Sequence, residues 1–360
     1  MTMKARLPYP PGYVLRGALL GCGHISVYHL RAWEQIEGVK IVALANRTRS
    51  RAEERAREFG IGLDQVYSDY RELLSIEKLD FVDIATTPDI HRRQVEDAAA
   101  RGVHVFCQKP FAPTLEDAQA MIRACDQAGV LFAINDNWRW RSWYREIKRL
   151  VEERAVGRPR YLRIVRHNAA ALPLPDGSAP PMFANQTYMM AMDRLIVYEW
   201  GIHLIDVVRF LVGKVESIYA RMSRTNMVGA GEDRALMTLV AGGVDCLIDI
   251  SWASVGVEKR VSQLEQVTLE GETGSIELLP DDGDLLRVSN LQGTWERPAF
   301  DCSPEEAYQA SYTAAQRHFA ECLQEGIEPE TVASDNIGTL KVAFDAYTSA
   351  AQGQVIRREE

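Results

Sequence analysis

Two regimes of hydrophobic patterning divide the chain near residue 135. Before it, short apolar runs alternate with segments of helical period. Residues 14–20 read as an apolar strand that stops at Gly21-Cys22-Gly23, and 25–36 as the helix that follows. A second strand over 39–45 precedes a charged helix over 50–59. A third, 79–85, precedes a helix over 89–101, and a fourth, 103–107, a helix over 114–128; 130–134 is a fifth. Thr114 and Asp117 stand where a capping box would begin the last of these helices. Strands alternating with helices at this spacing predict a doubly wound parallel sheet.

Beyond residue 135 the pattern predicts an amphipathic helix over 140–153, a strand over 160–166, a proline-rich loop over 172–182 and a helix over 202–211. Strand patterns then follow closely at 217–224, 235–240, 245–250, 266–270 and 275–278, with a Gly242-Gly243 hairpin signal between two of them. Short connections imply a large, mostly antiparallel open sheet. Helices over 304–324 and 335–351 close the chain. The expected architecture is α/β: a first domain over 1–135 and an α+β domain over 136–360, with the C-terminal helix able to pack back on the first.

A chain of 360 residues is long enough for two such cores. Its 46% hydrophobic and 25% charged residues are ordinary for a globular protein, and no apolar run is long enough to span a bilayer. Residues 1–13 are proline-rich and lack the apolar core of a signal peptide, so they read as a short arm and the expected compartment is the cytoplasm. The six cysteines form no CxxC pair and sit mostly in apolar surroundings, which predicts reduced, buried thiols and no zinc site. The net charge of −9 argues against nucleic acid as a partner.

Candidate chemistry begins at Gly21-Cys22-Gly23-His24-Ile25-Ser26, which leaves a strand and opens a helix. That is the setting of a dinucleotide fingerprint in a Rossmann domain. The first glycine makes the tight turn, and the second lets backbone approach a pyrophosphate at the helix N-terminus. Gly21, Gly23, His24 and Ile25 are therefore expected at the cofactor. The second strand ends in Asn46-Arg47, where NAD-specific folds usually carry Asp or Glu. Asn46 brings no charge to repel a 2′-phosphate and Arg47 could pair with one, so the cofactor is expected to be NAD(P), with NADP favoured over NAD.

The segment Ala85-Thr86-Thr87-Pro88-Asp89-Ile90-His91, the tripeptide Gln108-Lys109-Pro110 and the later Glu199-Trp200-Gly201-Ile202-His203 occur in the order found in the Gfo/Idh/MocA oxidoreductases, and the chain resembles that family over its whole length. Two departures stand out: Gln108 replaces a hallmark Glu, and Glu199 stands where many members carry Asp. The resemblance implies further cofactor contacts from Thr86, Thr87, Pro88, His91, Gln108 and Lys109. It also implies contact of Lys109 with the substrate hydroxyl, and a homodimer or homotetramer formed through the C-terminal sheet.

Oxidising an alcohol needs a proton acceptor and a cation near the developing alkoxide. Lys109, at a strand's C-terminal end, supplies the cation, and His203 the acceptor. Glu199 is four residues from His203; on a helix it would share its face and could orient it or bond the substrate, and ahead of the helix it could instead cap it. Asn137 and Arg139 follow the last strand of the first domain and could bond substrate hydroxyls, with Trp138 as a flat apolar face for a sugar, or the segment could serve as packing between the domains. Asp206 reads as structural, and Arg141, Arg145, Lys148 and Arg149 as a solvated helix face. The expected reaction is hydride transfer between a small polyhydroxylated substrate and nicotinamide, preferably an aldose oxidised at C1 to a lactone, with apiose- or pentose-type sugars the closest match. Inositols and keto-sugars are alternatives. A non-catalytic nucleotide-binding regulator and a glycosidase that uses nicotinamide only transiently are rival readings.

Overall fold

The computed structural model describes residues 9–174, 176–178, 180, 183, 186–225, 229–254, 264–280 and 283–358. The first eight residues of the expected arm, and residues 175, 179, 181 and 182 of the proline-rich loop, lie outside them. The chain divides into two compact units. One holds the residues up to Asn137 together with Gln309–Ile337, the other Trp138–Tyr308 and the segment from Gly338 onward.

The first unit is a doubly wound α/β layer. In chain order it runs β1 (Leu15–Leu20), α1 (Ser26–Glu34), β2 (Val39–Ala45), α2 (Arg49–Glu58), β3 (Val66–Tyr67), α3 (Tyr70–Ile76), β4 (Phe81–Ile84), α4 (Pro88–Ala99), β5 (His104–Gln108), α5 (Leu115–Ala128) and β6 (Phe132–Asn135). Every strand pair is parallel, in the order β3-β2-β1-β4-β5-β6. Strands buried on both faces need continuous apolar sequence, and β1 and β4 supply it except at half-buried Arg16 near the start of β1 and at Asp83, the one fully buried charge. The strand order reverses between β1 and β4, and ligands of open α/β sheets bind outside the carboxyl ends of strands at that switch point. At the start of α5, Thr114 Oγ1 accepts the Asp117 N–H at 3.0 Å, while the Asp117 carboxylate turns to the Thr114 hydroxyl and Arg92. Those bonds hold its carboxyl below the usual range, the Thr114 hydroxyl first. The expected cap is present, with the acid differently engaged.

The second unit is built on a nine-stranded sheet. It contains α6 (Ser142–Glu152), β7 (Pro159–His167), α7 (Ile202–Val212), β8 (Val215–Ser223), β9 (Arg234–Ala241), β10 (Val244–Ser251), β11 (Gln266–Gly271), β12 (Gly274–Leu279), β13 (Leu285–Asn290) and β14 (Gly293–Pro298). Helices α8 (Pro304–Glu325) and α9 (Ala333–Gln352) are divided between the units, and β15 (Ile356–Arg357) ends the chain. The order is β14-β13-β12-β11-β7-β10-β9-β8-β15, antiparallel except at the β7–β10 pair. One face packs under α7 through Leu204, Val208, Met237, Leu239, Ile248 and Ile250.

Four strands escape the hydrophobic pattern. β3 and β15 have two residues each, too few to show a period, and β14 is exposed along its whole length, so no buried face marks it. β13 alternates but is paired on that exposed neighbour. Gly242 and Gly243 both take positive φ, +57° and +73°, as the hairpin signal requires. A Cβ on Gly242 would lie 1.9 Å from the Val212 carbonyl oxygen, whereas one on Gly243 meets nothing within 4 Å. Gly243→Ala should therefore cost only the left-handed penalty, about 1–2 kcal/mol by denaturant unfolding. Gly242→Ala should cost clearly more, because α7 has to shift; equal losses would mean that the close approach is not a constraint.

Candidate active site

In the first unit the chain leaves β1 through Gly21, whose φ is +101°. A Cβ there would sit 2.7 Å from Ala85 O and 2.8 Å from Thr86 Cγ2, so only glycine fits between the ends of β1 and β4. At Gly23 the reverse holds: a Cβ would meet nothing within 4 Å. That open backbone, at the amino end of α1, suits a pyrophosphate, and the turn fits the dinucleotide expected there. Ser26 Oγ donates to Gly23 O at 2.6 Å and tightens the turn. Burial pushes the Cys22 thiol up to about 12, so it brings no negative charge to the turn. His24 is exposed and Ile25 half-buried.

Asn46, at the end of β2, is committed to backbone at both ends. Its Oδ1 accepts the Cys22 N–H at 3.0 Å and its Nδ2 donates to Thr48 O at 2.8 Å. It holds the glycine turn against the strand end, and Arg47 beside it is exposed. Thr86, Thr87 and Pro88 lie half-buried at the start of α4, with Thr86 Oγ1 donating to Gln94 Oε1 at 2.6 Å.

His91 takes a different place from the one expected. It is fully buried, with Nε2 3.0 Å from Thr86 O and Nδ1 3.1 Å from Phe111 O and 3.4 Å from Cys107 Sγ. A side chain with no exposed surface does not touch a cofactor; His91 ties the loop after β4 to the loop after β5. Burial lowers its pKa, so the neutral ring is favoured.

Lys109 is half-buried at the C-terminal end of β5 and joined to Pro110 by a cis peptide. Its N–H donates to Gln108 Oε1 at 2.7 Å. Gln108 Nε2 and Asn135 Nδ2 each lie 3.3 Å from Nε2 of His29, whose Nδ1 is 2.8 Å from Asp83 Oδ2. Trp33 Nε1 donates to the same oxygen at 2.7 Å. Strand register explains the convergence. Gln108 and Asn135 are direct partners across β5 and β6, and Asp83 shares their face two residues back along β4 and β5. His29, Asp83 and Asn135 escaped the sequence reading; the signal was Asp83, one charge in an otherwise apolar strand.

In the second unit Glu199 lies within a π-helical turn, Val197–Gly201, that runs into α7, and His203 is one turn further on. Such turns are often found at functional sites. Both side chains are nearly buried, 5% and 4% exposed. Gly201 lets this turn press on the sheet, since a Cβ would lie 3.2 Å from Ile250 Cδ1. The turn is capped by Glu232, not by Glu199. The Glu232 carboxylate accepts the Leu195 and Val197 N–H groups at 3.1 Å and the Tyr347 hydroxyl at 2.5 Å. Trp138 stacks flat on His203, ring centroids 4.6 Å apart and planes 2° apart. It supports the imidazole where a sugar platform was expected.

Three further expectations are corrected here. Arg139, expected to bond substrate hydroxyls, is 5% exposed and donates Nε to Asp206 Oδ2 at 2.7 Å and Nη2 to Asp206 Oδ1. Asp206 also accepts from Thr339, so its structural reading fits this pair. Asn137 is 1% exposed and donates to Ser311 Oγ at 2.7 Å within the first unit. Arg141 is not solvated: it is 2% exposed, donates to Glu265 Oε1 at 2.7 Å and lies 3.9 Å over Trp138. Among the described residues no group of three or more His, Cys, Asp and Glu side chains could hold a metal, and no helix is long and apolar enough to cross a membrane. No disulfide joins the six cysteines, and Cys302 is exposed where burial was expected.

Residues 15–136 match the model of the oxidoreductase family with an NAD-binding Rossmann fold, and residues 144–277 that of the GFO/IDH/MocA C-terminal domain. The chain belongs to the Gfo/Idh/MocA oxidoreductase family. Within it, the chain is 39% identical over 95% of its length to a D-apiose dehydrogenase of Paraburkholderia graminis, covering 89% of that protein. It is 34% identical over 95% of its length to a D-apiose dehydrogenase of Rhizobium rhizogenes, covering 97%. A crystal structure of an oxidoreductase from Agrobacterium radiobacter, solved with NAD+, L-tartaric acid and magnesium, superposes with a TM-score of 0.87 at 33% identity, over 95% of this chain and 98% of that one. This member of the family is a nicotinamide-dependent dehydrogenase.

Arg139→Met would leave Asp206 buried without its cation. It should lower stability by about 3–5 kcal/mol in denaturant unfolding, with the substrate KM of the folded protein nearly unchanged. A KM raised about tenfold at unchanged stability would return Arg139 to the substrate.

Proposed function

We propose that the chain oxidises an aldose at C1 to the lactone, with D-apiose the first sugar to test. The observation that carries the substrate class is kinship over 95% of the chain with two relatives named D-apiose dehydrogenase. Bound nicotinamide supplies the hydride acceptor. The Lys109 ammonium lowers the cost of charge growing on the substrate oxygen. A ring nitrogen of His203 takes the hydroxyl proton, and Trp138 holds the ring plane. Glu199, one turn away on the same stretch of helix, orients the imidazole or bonds a neighbouring hydroxyl. Arg139 and Asn137 belong to the scaffold in this reading.

For the cofactor, Asn46 leaves no carboxylate to repel a 2′-phosphate, and exposed Arg47 can pair with one, which favours NADP; the NAD+ in the Agrobacterium radiobacter structure weighs the other way. A cytoplasmic site of action is part of the same proposal, since the reaction draws on a nicotinamide pool.

The test is turnover of D-apiose with NAD+ and NADP+ by the wild type, Lys109→Ala and His203→Ala, alongside fluorescence titration with NADH and NADPH. Lactone formation is expected, with kcat reduced about 100-fold or more in both variants. Tighter binding of NADPH is expected, reversed by Arg47→Ala. Lys109→Ala with unchanged turnover would remove the mechanism, and no oxidation of any aldose would remove the substrate class.

We further propose a homodimer or homotetramer through the open sheet face that carries Arg234, Leu236, Thr238 and Asp245. Light scattering should give a multiple of the 40.5 kDa chain, and Leu236→Lys should reduce it. A monomer at micromolar concentration would overturn this.

A further inference from the structure

The buried chain Asp83–His29–Gln108 leads to the backbone of Lys109, and the direction of each bond along it follows from the Lys109 N–H, although Asp83 Oδ1 and Asn135 Oδ1 at its side are buried with no hydrogen-bond partner among the described residues. The Lys109 N–H can only donate, and it donates to Gln108 Oε1 at 2.7 Å. That bond fixes which end of the Gln108 amide is oxygen. Its other end, an NH2 group, therefore faces His29 Nε2 at 3.3 Å, as does the Asn135 amide nitrogen. A ring nitrogen facing N–H donors must present its lone pair. The proton then belongs on Nδ1, which points at Asp83 Oδ2 from 2.8 Å. Asp83 in turn is held by Trp33 Nε1–H at 2.7 Å and, more loosely, by Gln316 Nε2 at 3.5 Å. The Tyr312 ring lies against the imidazole. His29, Asp83 and Asn135 have no exposed surface and Gln108 has 6%, so the groups depend on one another for their hydrogen bonds.

We propose that His29 is a positioning residue for the reaction: Asp83 holds it as the Nδ1–H tautomer, and its bare Nε2 orients the Gln108 amide that fixes the backbone of Lys109. This rests on the reading that Lys109 acts on the substrate. It also gives the departure at residue 108 a physical meaning. The amide both accepts from Lys109 and donates to His29. A Glu there would offer a carboxylate to both, and Nε2 would then need its own proton.

Two measurements test it on the full-length protein with cofactor bound. The first is 15N NMR of histidine-labelled protein, with the His29 signals assigned by their loss in His29→Asn. At neutral pH the wild type should show one protonated and one bare ring nitrogen, with the proton on Nδ1. Gln108→Glu should show both nitrogens protonated. The second compares His29→Asn, whose amide can still donate to Asp83 but is too short to meet Gln108, with His29→Gln, whose Oε1 can accept from the Gln108 amide. His29→Asn should lower kcat about 10- to 100-fold at a temperature where it remains folded, with cofactor affinity little changed and some loss of melting temperature from the unpaired Gln108 amide, and His29→Gln should recover most of the loss in kcat. A proton on Nε2 in the wild type overturns the inference whatever the activity. So does a folded His29→Asn with kcat within about twofold of wild type. Unchanged turnover in Lys109→Ala overturns instead the role of Lys109 on which the inference rests.

Discussion

The constraint on which the first unit's site depends is that polar groups at the closed ends of buried strands have to satisfy one another. Asp83 lies in an apolar strand, and a carboxylate taken out of water costs several kcal/mol unless strong donors replace it. It draws His29 and Trp33, both on one face of α1, onto the same oxygen. The imidazole, once fixed by Asp83, meets Gln108 and Asn135 through their side-by-side register on β5 and β6. A second buried histidine, His91, spans Thr86 and Phe111 across the neighbouring loops. The segment Gln108–Phe111 is thus bracketed by two histidines whose partners lie inside the first unit. Lys109 has a rigid mount although it sits in a loop, which is what a group that stabilises developing charge requires.

The second unit reaches rigidity by a different route. Glu199 stands on a π-helical turn, a rare form of helix, and His203 on the first turn of α7 that continues it. Glu232 and Tyr347 hold its start, Gly201 lets it rest on β9 and β10, and Trp138 covers one ring of it at His203. Around them two buried ion pairs, Arg139–Asp206 and Arg141–Glu265, join segments 67 and 124 residues apart in sequence. Replacing such pairs with apolar side chains is often neutral or stabilising, so their presence says little about stability. Their geometry says more: Arg139 and Arg141 follow Trp138 by one and three residues, Arg141 lies over its ring, and anchoring both holds the indole on which His203 lies.

The elements were legible because burial writes its period directly into the chain. β2 and the helices around it follow the hydrophobic pattern to within a residue or two, and even the Gly242-Gly243 turn carries its conformation in its residue types. The glycine turn of the nucleotide-binding fold was legible for the same local reason, since a strand–glycine–helix run is contiguous. Partners were not. Arg139, Asn137 and Arg141 are the residue types that bond sugars or face water, and nothing local reveals that Asp206, Ser311 and Glu265 take them up. His91 was read as a ligand contact from its place after the Thr-Thr-Pro run, yet its burial comes from Phe111 and Cys107 on the next strand and loop. His29 was invisible because its meaning lies in Asp83, and the contact between them crosses 54 positions.

The two places where this chain departs from acidic expectations turn out to share one device. At Asn46, as at Gln108, an amide accepts a backbone N–H with its oxygen, from Cys22 and from Lys109, and donates with its nitrogen, to Thr48 O and to His29 Nε2. A carboxylate could do the first of these jobs but not the second. In each case a loop at the carboxyl end of the sheet is tied to a second element by one side chain, without a charge. The consequence is electrostatic as well as mechanical. Asn46 beside the glycine turn and Gln108 beside Lys109 add no carboxylate, and the Cys22 thiol stays protonated, so none of the three sets a negative charge against the amino end of α1 or the Lys109 ammonium. The same residues that make the motif look imperfect as a pattern therefore tie its loops without adding negative charge.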